Sequence, residues 1–238
     1  MVRFERKTTT KTKAAIESLA KAKKRRGNYN TEAVKAALQE IFYGKCYICE
    51  DASDKSIETE HFTPHRGNIE LKYDWNNLCL SCGHCNAIKG NRYVPILDCT
   101  RVDVDLKISF RVLDFLSNEN EIEIKAIDTS TETENTCRLL NDVYYGKNPN
   151  TAREANIKRR EIRKKISEFR LCVRMYLDEE NPEKKQDLLL AIQTELSNRS
   201  EFTAFKRWII RDSPKMCGDL LPLFSCQEDN HEHGIHRE

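Results

Sequence analysis

The chain has 238 residues, enough for one large domain or two small ones around a buried core. Charged residues make up 33% and hydrophobic ones 39%, a balance that excludes a chain disordered throughout. The longest aliphatic run, Leu188 to Ile192, is far too short to cross a bilayer, and no apolar segment follows the basic N-terminus, so neither a membrane span nor a signal peptide is read and a cytoplasmic protein is expected.

The net charge of +2 hides an asymmetry. Residues 1–30 carry ten Lys and Arg against Glu5 and Glu17, a net of +8, so the remainder sums to −6. Lys11 to Lys24 reads as a helix rich in Ala and Lys, broken at Gly27-Asn28. The cluster Lys21, Lys23, Lys24, Arg25 and Arg26 at its end fits either a solvated helix face or an arm that follows a phosphate backbone. A second helix begins at Thr31, with Val34, Leu38 and Ile41 on one face and Gly44 as its stop.

Residues 45–95 hold the chemistry. Cys46 and Cys49 form one CxxC pair, and Cys82 and Cys85 form another after 32 intervening residues. In a cytosolic chain this spacing points to a closed, tetrahedral, structural zinc site rather than to disulfides. Cys79 lies near but lacks a partner at that spacing, and the scattered cysteines, Cys226 among them, read as small buried residues. Zinc leaves Glu60, His61 and Asn86 unexplained. Glu60 and Asn86 offer hard oxygen ligands suited to Mg²⁺ or Mn²⁺, and His61 can take a proton from water near neutral pH. Adjacent side chains of a strand point to opposite faces, so a strand must end or distort at Glu60-His61 if both act together.

Beyond residue 95, Leu106, Ile108, Phe110 and Val112 alternate, as do Ile122, Ile124 and, imperfectly, Ile127; these predict two strands joined by a polar turn at 117–120. Thr131 with Glu134 matches a capping box. A long helix over Thr151–Leu177 places Ala155, Ile162, Ile166, Phe169, Val173 and Leu177 on one face. Its many bases are expected to form a solvated face, offset by Glu154, Glu161 and Glu168. Pro182 opens another helix, and a last one carries Phe202, Phe205 and Ile209. Periodicity ends after Asp212, and the tail histidines His231, His233 and His236 read as adventitious.

The stretches "CYICE", "IETEHFTPHRGN" and "NNLCLSCGHCNAIKGN" together resemble the HNH endonucleases, whose ββα-metal core is clamped by paired CxxC knuckles. The resemblance implies an α+β fold, with a zinc-clamped ββα-metal core at 45–95 embedded in a mostly helical protein. It makes His61 the general base, Glu60 a metal ligand where the family has Asp, Asn77 the residue that fixes the loop and orients the His, and Asn86 a metal ligand at the third motif position. Lys89, one turn on, is then expected to meet a phosphate. His65 reads as structural or phosphate-facing, and His84 as a supporting or surface residue.

The match extends through "YDWNNLCLSCGHCNAIKG", the upstream basic helix and the helical second half, and is similar to the retron-associated HNH family of Septu-type antiphage defence. That resemblance implies a partner, a PtuA-like ATPase of the ABC/SMC type, restraining a metal-dependent nuclease that acts on nucleic acid, DNA favoured over RNA. It divides the chain into a basic helical region at 1–44, the core at 45–95, a β-hairpin and helical partner-docking region at 96–212 and a flexible tail at 213–238. With a nuclease core adjacent, Lys24, Arg25 and Arg26 are expected to contact phosphate, and the apolar faces around Phe169, Val173, Phe202, Phe205 and Trp208 are candidate anchors for the partner. The other readings are an RNA nuclease, a zinc-stabilised binding module, and a scaffold with an inactive core.

Overall fold

A computed structural model describes residues 1–53, 56–113 and 121–225. The 117–120 turn, Cys226 and the three tail histidines lie outside the described residues.

Helix α1 (Thr10–Lys24) starts at a reciprocal cap between Thr9 and Thr12, and α2 (Glu32–Ile41) starts where Thr31 accepts the Val34 amide. The two helices pack together and bury Ala15, Leu19, Val34, Ala37 and Leu38. Strands β1 (Ile57–His61) and β2 (Leu78–Cys82) pair antiparallel, with Ile57 opposite Cys82 and His61 opposite Leu78. Helix α3 (Gly83–Lys89) follows β2 without a linker, giving a ββα unit. A short helix at Ile69–Lys72 and a 3-10 turn at Trp75–Asn77 cross between the strands.

A second antiparallel pair, β3 (Ile108–Val112) and β4 (Ile122–Ala126), buries Ile108, Phe110, Ile122 and Ile124. Leu106, expected in the first of these strands, instead sits in a helical turn at Val104–Lys107 and is exposed, as is Ile127 beyond the second. Buried Asp105 explains the turn: Arg211 reaches its carboxylate at 2.9 Å and Trp208 Nε1 donates to its carbonyl, which holds this backbone out of the sheet.

Helix α4 (Thr131–Tyr145) is capped by Ser130, whose hydroxyl accepts the Thr133 amide, so the expected Thr131–Glu134 box does not form. The chain then turns at Gly146, at φ +69°, where any Cβ would lie 2.4 Å from the Ala152 amide nitrogen. Helix α5 (Pro149–Asp178) has a reciprocal Asn148–Thr151 cap and Pro at its start, and α6 (Pro182–Leu196) is capped by Asn181.

The solvated basic face expected on α5 is present in part, with Arg153, Arg160, Lys164, Arg170 and Arg174 exposed, but other bases pair with partners outside the helix rather than with its own glutamates. Lys158 is buried against Asp51 at 3.1 Å, Arg163 reaches Glu121 at 2.9 Å, Lys165 reaches Glu201 at 3.3 Å and Arg170 donates to the Val112 carbonyl. The apolar faces expected to await a partner are likewise used internally. Phe169, Val173, Phe202 and Phe205 are buried, and Trp208 Nε1 donates to the Asp105 and Ile108 carbonyls. Phe205 lies edge-on to Phe110 and Tyr144, filling the seam between the hairpin and the helices.

Helix α7 (Thr203–Arg211) completes that seam. Residues 213–225 are not the flexible tail that lost periodicity predicts. Short helical turns at Pro214–Cys217, Gly218–Leu220 and Pro222–Ser225 bury Cys217, Leu220 and Phe224 against Val173, Ile192 and Ile210. Segments of three or four residues are too short to show a helical period, which is why the sequence pattern missed them. No helix among the described residues is long and apolar enough to cross a membrane.

Candidate active site

Each CxxC pair sits at a sharp backbone reversal. Cys46 and Cys49 occupy a turn closed by the Glu50 amide on the Cys46 carbonyl and the Cys46 amide on the Asp51 carbonyl, with Glu50 at φ +63°. Cys82 ends β2 and Cys85 lies in the first turn of α3. The four sulfur atoms are buried and lie within 4.8 Å of one another, Cys49 and Cys82 at 3.9 Å. Zinc–thiolate bonds of about 2.3 Å hold sulfurs about 3.8 Å apart in a tetrahedron, so this cluster can hold a metal ion such as zinc. Cys79 stays outside it. Three positions from Cys82 on a strand, it faces the other way, where burial pushes its thiol up to about 12.

One turn along α3 the surroundings change. A cleft of about 360 Å³ is lined by Glu60, His61, His65, Arg66, Asn86 and Asn91, among others. Glu60 and His61 both reach it because β1 ends at His61, the condition their adjacency requires. His61 Nε2 lies 3.0 Å from the Lys72 carbonyl oxygen; since a carbonyl only accepts, Nε2 carries the proton and Nδ1 is the basic nitrogen. Tyr29 and His65 pack edge-on against the ring at 4.6 and 4.7 Å. Burial holds the imidazole below its usual pKa, so His61 is neutral near pH 7.

Asn77 uses its whole amide on the loop after β1. Its Oδ1 accepts the Thr63 amide at 2.7 Å, and its Nδ2 donates to the Thr63 and Leu71 carbonyls at 2.9 and 3.0 Å. Through Leu71 this bond lies beside Lys72, whose carbonyl holds His61.

Lys89 is not where a phosphate could meet it. It is fully buried, donating at 2.5 Å to Glu60 Oε1 and at 3.0 Å to the His61 carbonyl. Its stem runs inward toward β1, and a buried ammonium needs a counter-charge, which Glu60 supplies. Glu60 Oε2 is buried without a well-formed hydrogen bond, and burial pushes this carboxyl up to about 7 against the opposing pull of Lys89 and the Tyr47 hydroxyl. Asn86 Nδ2 donates to Glu58 Oε2 at 2.8 Å, so its Oδ1 remains as an acceptor. Glu60 and Asn86 both line the cleft, so it is edged by a carboxylate and an amide oxygen of the hard kind that suits a divalent cation, and Glu58 brings a further carboxylate to Asn86.

The basic cluster adjoins the cleft. Tyr73 Oη donates to the Gly27 carbonyl at 2.7 Å, Thr59 Oγ1 to Asn30 Oδ1 at 2.7 Å, and Tyr29 lies on His61. These contacts fix the segment just after Lys24, Arg25 and Arg26, whose side chains are exposed, while Lys23 pairs with Glu70. His84 turns away toward α4 and α5, with Nε2 2.8 Å from the Val143 carbonyl and Nδ1 2.7 Å from Glu154. Sequence reasoning missed Tyr29, Glu58 and Arg66. Only Glu58 carried a signal, standing two residues before Glu60 on the same strand face.

No protein-family model matches the chain, and no solved structure matches it. Two curated proteins do. The Septu protein PtuB of Bacillus mycoides is 37% identical over 83 residues, covering 29% of this chain and 28% of the relative. The Septu protein PtuB of Bacillus thuringiensis is 38% identical over 73 residues, 28% of each chain. The matched part thus spans little more than a quarter of these relatives, and over that part the chain is similar to Septu PtuB.

Proposed function

We propose that this chain is an HNH-type endonuclease that hydrolyses nucleic-acid phosphodiester bonds, DNA in preference to RNA, as the effector of a Septu-like antiphage defence system. The observation that carries the reading is the tautomer of His61: the Lys72 carbonyl fixes the proton on Nε2, which leaves Nδ1 as a base in the cleft that Glu60 and Asn86 also line. His61 takes a proton from water as that water attacks phosphorus. Asn77 keeps the loop, and through it the ring, in place. Glu60 Oε2 and Asn86 Oδ1 would hold the catalytic Mg²⁺ or Mn²⁺. Such an ion, when bound, polarises a phosphoryl oxygen and stabilises the leaving alkoxide. Lys89 holds Glu60 from behind, and the exposed Lys24, Arg25 and Arg26 attract the phosphate backbone.

The similarity to Septu PtuB supports the defence role and a PtuA-like ATPase as partner. Since the aromatic faces of the helical half are used internally, that partner docks on other residues.

Labelled duplex DNA and structured RNA, incubated with the purified chain and Mg²⁺ or Mn²⁺, test the reading. Cleavage of DNA is expected, and His61→Ala is expected to slow it about a hundred- to ten-thousand-fold while the fold and nucleic-acid binding persist. Binding without cleavage by the unaltered chain would make it a binding module. Undiminished cleavage by His61→Ala would mean another base.

A further inference from the structure

With Lys89 tied inside, Arg66 is the cationic side chain that lines the cleft among the described residues. It stands in the loop after β1 at φ +45°, a left-handed conformation that is strained for an L-residue with a Cβ, and Gly67 follows at φ +86°. The loop around it is pinned on every side. Asn77 grips Thr63 and Leu71, the Asn68 amide donates to the His65 carbonyl at 2.7 Å, and the Gly67 amide donates to His65 Nδ1 at 3.1 Å. Yet among the described residues the guanidinium has no hydrogen bond or ion pair. An exposed position with this backbone would suit Gly or Asn better, and nothing within the fold rewards an arginine there. The Gly67 bond also leaves His65 with its proton on Nε2, a second donor without a partner among the described residues, its ring 4.7 Å from His61. Two free donors thus stand beside a base in a cleft with no other free cation among the described residues.

We infer that Arg66, with His65 Nε2 as a second donor, grips the non-bridging oxygens of the phosphate presented to His61, and that the loop holds its strained backbone for this purpose. A guanidinium fork matches two phosphate oxygens at once, which a lysine ammonium cannot do. The assignment rests on the nuclease reading for the identity of the substrate, but its binding component can be measured without cleavage.

The test uses the full chain with Arg66→Gly and Arg66→Lys. Urea unfolding, cleavage of labelled duplex DNA and RNA, and binding of the same duplexes by anisotropy in the His61→Ala background are measured together. Arg66→Gly, which accepts the left-handed backbone, is expected to keep or raise the unfolding midpoint while cleaving and binding about tenfold more weakly, with the salt dependence of affinity reduced by about one phosphate contact. Arg66→Lys should recover part of the binding but little of the rate. A lowered midpoint for Arg66→Gly, or unchanged binding and cleavage, overturns the assignment and makes Arg66 structural or idle. If the unaltered chain binds duplexes without cutting them, the nuclease reading falls, and the binding and salt slope alone then decide Arg66. If it neither binds nor cuts, both readings fall.

Discussion

Cys82 and Asn86 lie four residues apart at one strand–helix junction, yet they belong to sites built in opposite ways. The cysteine cluster is closed, buried and assembled from two identical short spacings. The cleft is open and draws on the end of β1, a strained loop, the middle of α3 and, through Tyr29, the segment after α1. Among the described residues it also keeps what a stable core avoids: a buried carboxylate oxygen without a well-formed hydrogen bond, an unpaired guanidinium and a left-handed arginine. The closed site lends rigidity to the open one, so the two should respond differently to substitution.

The largest expected effect breaks the closed side. Cys85→Ser removes one of four thiolates, and structural zinc contributes about 10–16 kcal/mol to folding, more than the net stability of an ordinary domain. The variant should be unfolded or insoluble, whereas His61→Ala in the open site should keep the native unfolding midpoint. Metal analysis of the purified protein should find zinc near one per chain. A folded, zinc-free protein would erase the contrast.

Lys89 sits on the boundary between the two. Lys89→Met strands the Glu60 carboxylate and should destabilise the chain by about 3–5 kcal/mol in urea titrations. Adding Glu60→Gln should return much of that loss, because the penalty belongs to the unpaired charge. Additive losses would show that Lys89 matters for its packing instead.

The smallest effect lies outside both sites. Replacing Lys24, Arg25 and Arg26 with Gln should leave stability within about 0.5 kcal/mol while weakening binding to every duplex sequence and flattening its salt dependence. An unchanged salt slope would make the cluster a solvated helix end.

The parts of the molecule legible in the sequence are those governed by neighbours along the chain. The CxxC spacings, the helices read from Thr31 and Pro182, and the end of β1 at His61 depend on a few adjacent residues. What escaped depends on partners far away. Lys89 has a good position for phosphate contact until Glu60, 29 residues earlier, is seen to hold it. Asp105 breaks the strand pattern at Leu106 because Arg207 and Arg211, about a hundred residues later, converge on it. Arg66 and Tyr29 leave no periodic trace, since one is singled out by a backbone angle and the other by a ring contact.

Glu50 carries a consequence for how this core can be moved or inherited. Helix α7 begins after Phe202 with no cap of its own, and the carboxylate of Glu50, next to Cys49, accepts the Thr203 amide at 2.9 Å and the Ala204 amide at 3.4 Å. Lys45, on the other flank of the knuckle, donates to the Asn198 and Ser200 carbonyls. The knuckle is therefore also the seat of a helix from the far end of the chain. A fragment cut at residues 45–95 would carry all four thiols and the Lys45–Glu50 pair, yet would strip Glu50 of the Thr203 and Ala204 amides and Lys45 of the Asn198 and Ser200 carbonyls. The ββα unit of this protein is not a portable cassette, and a chimera that borrows it has to bring residues 198–211 as well.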